Sequence, residues 1–421
     1  MRTLFWFVLL ALFCYSCSQS TPEEDMPKPI AAADILGDPV YRAISFGGYR
    51  QPTREAVPTV EDLKEDLAIL QAMGIKLLRT YNTQQFAHAA NLLEAIKQMK
   101  AADSDFEMYV MLGAWIDCEN AWTDSPNHEA ESLENNTAEI DAAVRLTNQY
   151  PDIVKVIAVG NEAMVHWATS YFVYPDVILK WVNHLTDLRR MGTLPEGVWI
   201  TSSDNFASWG GGDDSYHRDD LAELIEAVDY LSLHTYPFHD SHYTPDYWLI
   251  TEEDMAGLTN IERIDAAMLR ARDYAQSQYQ SVVDYMSSLG IEKPVHIGET
   301  GWATKDSHLY GDDGSRAADE YKSKLYHDLT RNWTDNAGIS CFYFEAFDEQ
   351  WKDPTSDLGS ENHFGLINLQ GQAKYVLWEM VDAGVFNGLR RGGHPITKTF
   401  GGDTARLMET VMVPPLLEYN R

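Results

Sequence analysis

The chain has 421 residues, of which 45% are hydrophobic and 12% aromatic, enough to bury one large core or two modest ones. Its 64 acidic and 32 basic residues give a formal charge of −32. A surface this acidic repels nucleic-acid backbones, anionic lipid and polyanionic polymers such as uronates. We therefore expect a neutral ligand and no nucleic acid.

The first 17 residues have the composition of an export signal. One arginine precedes an apolar run over residues 4–13, which is too short to span a bilayer, and Cys17 follows Ser16. The pattern resembles a bacterial lipoprotein signal, in which Cys17 would carry lipid and anchor the protein at the cell surface or in the periplasm. The alternative is an ordinary cleaved signal, with the protein secreted and Cys17 incidental. Both predict export.

The rest of the chain divides into three parts. Residues 18–40 are polar and contain prolines, as expected of a tether, and residues 41–389 alternate apolar and amphipathic segments. Residues 390–421 form a tail without a repeat of its own, which would pack beneath the main domain or stay loose. Cys118 and Cys341 lie on separate predicted elements, so we expect two buried thiols and no disulfide between them.

Eight apolar segments are predicted strands, and amphipathic helical segments follow them. The strands are 42–48, 75–82, 107–115, 154–162, 198–205, 228–236, 294–301 and 339–347. Strands that are apolar on both faces and alternate with helices indicate a parallel sheet covered by helices. A doubly wound open sheet is the rival, but the chain lacks the glycine-rich phosphate loop expected after an early strand. We predict an α/β fold, a (β/α)8 TIM barrel over residues 41–389 with a short C-terminal extension.

Polar residues cluster where the predicted strands end, and in a barrel these ends share the face that carries the active site. Glu162 ends the fourth strand and Glu299 lies at the end of the seventh, so only the fold can bring them together. Facing carboxylates among aromatic residues are what retaining glycoside hydrolysis requires, although either one alone could be a buried ion-pair partner. Further polar or aromatic exit residues are Arg79, Tyr81, Asn82, Trp115, Asn161, Asp204, Asn205, His234, Tyr236, Glu345, Asp348 and Glu349.

Five motifs on these elements carry a family resemblance. They are VGNE on the fourth strand, HTYPF on the sixth, GETGW on the seventh, FEAFDEQWK on the eighth and HFGLINLQGQAKY after it. In this order they resemble glycoside hydrolase family 17, over residues 41 to about 389. That family contains β-1,3-glucanases, β-1,3-1,4-glucanases and related glucan transglycosylases.

The resemblance implies a role for each residue that matches a family motif. Glu162 would be the acid/base and Glu299 the nucleophile, which requires Glu162 protonated near neutrality and Glu299 charged. Asn161 would hold the sugar 2-hydroxyl. Tyr236 would hydrogen-bond the nucleophile and Arg79 would keep it ionised. The other residues implied at the sugar site are Tyr81, His234, Trp302, Glu349 and Lys352.

Two further groups of residues leave alternatives open. Tryptophans at or just past the strand exits would either stack on sugar rings or pack in the core, namely Trp115, Trp122, Trp167, Trp209 and Trp351. His234, His239 and His242 with Asp240 have the composition of a metal cluster, but zinc sites usually show tighter ligand spacing on regular elements. The family resemblance places His234 near the sugar without a metal, so we expect no metal and no cofactor.

The sequence thus predicts an exported retaining hydrolase of laminarin-type β-1,3-glucan, a monomer that touches membrane only through a lipid on Cys17. One alternative is a glucanosyltransferase on the same site, in which a sugar replaces water as the acceptor. Another is a non-catalytic surface glucan-binding lipoprotein, which would lack or displace one of the two glutamates. Endo or exo action depends on loop geometry, which the sequence leaves open.

Overall fold

The computed structural model describes residues 29–356 and 358–417, so the predicted export signal with Cys17 lies outside the described residues. Eight parallel strands form a closed barrel. They are β1 (Arg42–Ser45), β2 (Ile75–Arg79), β3 (Tyr109–Ala114), β4 (Val154–Asn161), β5 (Trp199–Asn205), β6 (Leu231–His234), β7 (Val295–Gly301) and β8 (Cys341–Phe344). β8 closes the barrel by pairing with β1. Each strand lies inside a segment predicted to be one, and the TIM barrel is confirmed.

A helix follows each barrel strand. The helices are α1 (Val60–Ala72), α2 (His88–Ala102), α3 (Leu133–Gln149), α4 (Pro175–Arg190), α5 (Asp219–Ala227), α6 (Asn260–Ser288), α7 (Glu320–Ala337) and α8 (Trp378–Asp382). At the start of α1, the Thr59 hydroxyl accepts a hydrogen bond from the Asp62 amide, and the Asp62 carboxylate accepts one from the Thr59 amide, a reciprocal cap that fixes where the helix begins. The largest core lies between these helices and the barrel, and Cys118 and Cys341 are buried in it as free thiols, as predicted.

Short elements are added on the loops at the carboxyl ends of the strands. Helices Pro237–Tyr243 and Glu252–Gly257 follow β6, and the antiparallel pair Cys118–Glu119 and Asn127–Glu131 follows β3. The antiparallel pair was not predicted, because its second strand, NHEAE, has no apolar alternation to mark it. Over residues 29–356 and 358–417, no helix has the length and apolar character needed to cross a membrane.

The N-terminal segment differs from the prediction of a tether that runs to residue 40. Ala32–Ile35 is helical, Ala32 and Ile35 are fully buried, and the Ala32 amide donates to Gly197 just before β5. These two side chains pack with residues near the starts of the strands, among them Ala43, Leu77, Tyr109 and Phe342. The segment therefore closes the amino-terminal end of the barrel.

The C-terminal tail is neither loose nor beneath the barrel over residues 390–417, so both predicted alternatives are wrong there. Thr397–Lys398 pairs with Gln372–Ala373, which follows β8, and Leu416 bridges to Ile250 in the loop after β6. Arg391 is buried and donates to Asp66 of α1 at 3.0 Å. The tail thus braces the side of the barrel close to the loops that carry the polar strand ends.

Candidate active site

Glu162 stands on an irregularity at the end of β4. The pairing of β4 with β5 shifts register between Ala158 and Asn161, and Gly160 and Glu162 have left-handed backbone with φ of +83° and +46°. At Gly160 a Cβ would come within 2.9 Å of Ala163, so a residue without a side chain is required. The Glu162 amide donates to the Ser203 carbonyl at 3.0 Å, which anchors the irregularity. Bulges of this kind re-aim side chains, and here Glu162 faces a cavity.

Glu299, in β7, is held by three donors. Arg79 Nη1 and the Tyr81 hydroxyl, the latter at 3.0 Å, donate to Oε2, and the Tyr236 hydroxyl donates to Oε1 at 2.6 Å. Burial alone would raise the pKa of Glu299, but the positive charge of Arg79 and the hydrogen bonds from Tyr236 and Arg79 outweigh burial and lower that pKa below its ordinary value. Glu299 is therefore the ionised carboxylate of the site.

Arg79 joins Glu299 to Asn161. Its guanidinium is fully buried at the end of β2, and Nη2 donates to Asn161 Oδ1 while Nη1 serves Glu299. The ring of Tyr81 lies 4.7 Å from the guanidinium carbon. With its amide oxygen occupied by Arg79, Asn161 is left with its NH2 group to offer to a ligand hydroxyl.

Glu162 has a different environment. Its Oε1 lies 3.0 Å from His234 Nδ1, and burial lowers the pKa of His234 to about 4, so the contact is a hydrogen bond of a neutral imidazole and not an ion pair. Burial raises the pKa of Glu162, and the negative charge of Glu299 raises it further. Because His234 is uncharged near neutrality, the charge on Glu299 is balanced by Arg79. Glu162 is the carboxyl that keeps its proton.

Two serines that were not predicted hold His234 from behind. Ser203 Oγ lies 2.8 Å from His234 Nε2 and 2.9 Å from Ser232 Oγ. Gly298 of β7 makes room for the pair, since a Cβ there would approach the Ser232 hydroxyl to 2.1 Å. The sequence offers only a weak signal for these two serines, namely small polar residues inside otherwise apolar strands.

Asp204 fastens the turn that carries Glu162. It is fully buried at the end of β5 and accepts hydrogen bonds from the Met164 amide at 2.7 Å and the Ser208 hydroxyl at 2.9 Å. Burial raises the pKa of Asp204 to about 7, and the neighbouring Glu162 also raises it. The sequence marked Asp204 as a strand-exit residue, and the structure gives it a supporting contact and not a place in the bowl.

Lys352, Glu345 and Glu349 form a buried ionic cluster after β8. Lys352 Nζ lies 2.5 Å from Glu345 Oε2 and 3.6 Å from Glu349 Oε2. Glu349 also accepts hydrogen bonds from the Tyr49 amide at 3.0 Å and from the Trp351 indole at 2.8 Å. Such a cluster is costly to bury unless it is satisfied by several bonds. Glu349 and Lys352 also line a cavity.

His234 and Trp302 are predicted at the sugar site, but the structure leaves neither side chain any exposed surface to offer to a sugar. His234 is fully buried and reaches the site only through Glu162. Trp302 is also fully buried, donates its indole N–H to Ala317 at 2.8 Å and packs against Phe238. The loop after β7 turns the Trp302 indole away from the strand ends, which the motif GETGW cannot reveal.

Two other members of the suspected metal cluster, His239 and Asp240, have their own hydrogen-bond partners. His239 Nδ1 lies 2.9 Å from the Tyr310 hydroxyl, and Asp240 accepts a hydrogen bond from Gln278 at 2.9 Å. In the part of the chain that the structure describes, no group of three or more His, Cys, Asp or Glu side chains is arranged to hold a metal ion.

Two cavities meet at Glu299 and Phe344. The Glu162 cavity, about 890 Å³, is lined by Glu162, Trp167, Asn205, Phe206, Tyr236, His239, Tyr243, Tyr310 and Phe364. The Asn161 cavity, about 510 Å³, is lined by Tyr49, Tyr81, Trp115, Trp122, Asn161, Glu349, Trp351 and Lys352. Of the five tryptophans singled out in the sequence, four line these cavities. Trp209 is instead fully buried and donates to the Ser232 carbonyl.

Comparison with known proteins places this site in context. A family model described as the BtgE/BtgC glycoside hydrolase domain matches residues 43–365. The crystal structure of an endo-laminarinase from Formosa Hel1_33_131 is 59% identical, superposes with a TM-score of 0.91 and covers 93% of this chain and 99% of that one. A glucan 1,3-beta-glucosidase of Arthroderma benhamiae is 25% identical over 75% of this chain and 83% of its own. A family 17 beta-1,3-glucanosyltransferase from Rhizomucor miehei, 19% identical with a TM-score of 0.55, covers 80% of this chain and 96% of that one and shares the fold.

Proposed function

The chain belongs to the BtgE/BtgC glycoside hydrolase family and is a glycosidase of the family 17 type, and we propose that it cleaves β-1,3-glucan internally by a retaining, two-glutamate mechanism. The observation that carries the proposal is the pair Glu162 and Glu299. One carboxyl keeps its proton and the other is anionic, and both line the Glu162 cavity. Opposed pKa values of this kind supply an acid and a nucleophile at one pH. The endo-laminarinase named above supports the choice of substrate and of internal cleavage.

The two cavities give the substrate a direction. The acid must reach the oxygen of the leaving group, and Glu162 lines the larger cavity, so the leaving part of the chain lies there. Asn161, which would hold the 2-hydroxyl, lines the smaller cavity, so the attacked sugar and the units before it lie on that side. A glucan that passes Glu299 from one cavity to the other can be cut within its length.

Cleavage proceeds in two displacements. Glu299 Oε attacks the anomeric carbon, the glycosidic C–O bond breaks, and Glu162 transfers its proton to the departing oxygen, which leaves a glycosyl ester on Glu299 and a carboxylate at Glu162. Glu162 then takes a proton from water as that water attacks the anomeric carbon, and Glu299 leaves as a carboxylate. Two inversions at the same carbon retain the β configuration. Arg79, Tyr81 and Tyr236 stabilise Glu299 both before attack and after release.

The tautomer of His234 fixes which oxygen of Glu162 carries the proton. Ser203 can donate to Nε2, which leaves the single ring proton of the neutral imidazole on Nδ1, where it donates to Glu162 Oε1. The carboxylic proton of Glu162 is then confined to Oε2. A fixed proton position favours transfer because the acid needs no rotation before it reaches the leaving oxygen.

The proposal is tested with laminarin. The mature protein should release reducing ends with an early drop in mean chain length, and proton NMR of the first products should show the β anomer. Glu162→Gln and Glu299→Gln, each checked for an unchanged circular dichroism spectrum, should lose most of this activity. First products in the α configuration would refute the retaining mechanism, and full activity in either variant would refute the assignment of that glutamate.

A glucanosyltransferase activity is the second candidate, favoured by the exposed aromatics of the Glu162 cavity. Trp167 is 61% exposed and Tyr243 is 67% exposed, and aromatic rings on the leaving-group side can hold an acceptor sugar in place of water. Products longer than the starting laminarihexaose at high substrate concentration would establish transfer. The non-catalytic alternative required a missing or displaced glutamate, whereas both glutamates are present and face the cavities.

We also propose that the protein is exported and anchored by lipid at Cys17, a residue outside the described ranges. The support is the apolar run of residues 4–13 followed by Ser16 and Cys17. In a Gram-negative expression host the full chain should appear in the membrane fraction, and Cys17→Ser should remove it from that fraction. Recovery of the unaltered chain from the soluble periplasm or medium would favour the ordinary cleaved signal.

A further inference from the structure

Trp122 presents an open aromatic face in the Asn161 cavity. It is 61% exposed and lies in the turn between the short strands Cys118–Glu119 and Asn127–Glu131 after β3. A single exposed aromatic side chain is common on protein surfaces and indicates nothing by itself. What distinguishes Trp122 is the number of contacts that hold it in one orientation.

The backbone and one ring face of Trp122 are fixed. Its amide donates to the Ser170 carbonyl at 2.9 Å, and its backbone has the left-handed φ of +65°. One face of the indole stacks on Tyr171, with ring centres 4.9 Å apart and planes at 21°. Trp115 lies beside it at 6.3 Å. The ring therefore has one face supported by protein and the other directed to solvent in the cavity.

Asp117 holds the edges of both indoles. Its Oδ1 accepts from Trp115 Nε1 at 2.7 Å and from Trp122 Nε1 at 3.3 Å, while Asn136 binds the backbone of Asp117 at 2.9 and 3.0 Å. Burial raises the pKa of Asp117. Both polar indole groups are thus turned inward, which leaves carbon faces toward the cavity.

We propose that Trp122, with Trp115 beside it, is the platform of a subsite that stacks on a β-glucosyl unit beyond the ring attacked by Glu299. The proposal rests on the proposed function. It adds to that function a residue that makes activity depend on the number of glucosyl units on the glycone side. β-Glucopyranose carries all its substituents equatorially, so each ring face presents axial C–H bonds that fit an aromatic face. A unit with an axial hydroxyl would lose part of this contact.

The test uses 4-nitrophenyl β-laminariosides of two to five glucosyl units, which differ only on the glycone side. For the parent, kcat/KM should rise about tenfold when the unit that reaches Trp122 is added. Trp122→Ala should lose that step and keep the kcat/KM of the shorter substrates, and Trp122→Phe should keep part of it. Trp167→Ala is the matched control, because Trp167 is equally exposed but lines the Glu162 cavity, so the step should remain.

Each other outcome overturns the proposal. An unchanged step in Trp122→Ala would show that the ring does not bind sugar. An equal loss at every substrate length, together with a lower melting temperature, would assign Trp122 a structural role. If the parent releases no nitrophenol from any member of the series, the proposed function fails and this proposal with it, a result distinct from failure of the variant alone.

Discussion

Glu162 and Glu299 are the same side chain at the ends of two strands of one barrel, the first half-buried and the second buried, and yet their pKa values move in opposite directions. Burial pushes both pKa values upward. The difference lies in the partners, because Glu299 receives a guanidinium and two phenols whereas Glu162 receives one neutral imidazole. Burial therefore raises the pKa of either carboxyl, and the neighbouring charges decide which of the two stays protonated.

Arg79 is the source of the asymmetry. It contacts Glu299 directly, and its charge also lowers the pKa of Glu162 from farther away, while the charge of Glu299 raises the pKa of Glu162. The order of ionisation thus depends on one buried cation placed nearer to one carboxyl. The four predictions below remove one part of this arrangement at a time.

The largest effect is expected from removing the two carboxyls in turn. Glu299→Gln leaves no nucleophile and should lower kcat on laminarin by about 10⁵-fold or more. Glu162→Gln should cost about 10²- to 10⁴-fold, the usual contribution of general acid catalysis. On a 2,4-dinitrophenyl β-laminarioside, whose leaving group needs no proton, the first displacement of Glu162→Gln should be nearly normal, while Glu299→Gln stays inactive. A reversed pattern would exchange the two roles.

Removing the cation is expected to give the next largest loss. Arg79→Met leaves Glu299 buried without its counter-charge, so kcat/KM should fall by about 10³-fold and the acid limb of its pH profile should move to higher pH as the pKa of Glu299 rises. Arg79→Lys, which keeps the charge and loses the bond to Asn161, should move that limb less. An acid limb that stays in place in Arg79→Met would mean that Arg79 does not set the ionisation of Glu299.

Part of the fold and of the site could be predicted from the sequence. The barrel, its eight strands and the two glutamates could be predicted, because apolar strands that end in polar residues carry a strong signal and the motifs fix their order. The positions of Trp302 and His234 could not, since a residue near a strand end points into the bowl or behind it according to loop packing. Ser203 and Ser232 were not predicted, because they support His234 only through contacts that the fold creates. These contacts need the imidazole beside them and a glycine at position 298, where a Cβ would collide with the serine hydroxyls.

A smaller effect is expected on stability as the pH changes. The folded-state pKa of Glu162 lies above the ordinary 4.5. The contribution of Glu162 to the free energy of unfolding is therefore complete below pH 4.5 and is lost as the pH rises through the raised pKa. Glu162→Gln escapes this loss and should be more stable than the parent at pH 9, by ~2 kcal/mol or more, and equal to it at pH 4. Thermal unfolding at both pH values measures the difference.

Glu299→Gln is the matched control for that experiment, because its sign is opposite. The folded-state pKa of Glu299 lies below 4.5, so its stabilisation is present above pH 4.5 and is lost as the pH falls. The variant should be less stable than the parent at pH 7, and the gap should narrow on acidification. If both variants changed stability in the same direction at pH 9, the two glutamates would not differ in ionisation.

The smallest effect is expected from replacing His234. The direction in which the alkaline limb of kcat/KM moves shows whether Nδ1 donates to Glu162 or accepts from it. If Nδ1–H donates to Glu162, it favours the ionised acid, so His234→Leu should raise the pKa of Glu162 and move the alkaline limb of kcat/KM upward, with about a tenfold loss of kcat. If Nδ1 instead accepts the proton of Glu162, the same change should move the limb downward. His234→Asn can keep an N–H at the position of Nδ1 and should leave the limb in place. A downward shift would place the carboxylic proton on Oε1, against the leaving-group geometry proposed here, and would assign Ser203 the role of acceptor instead of donor.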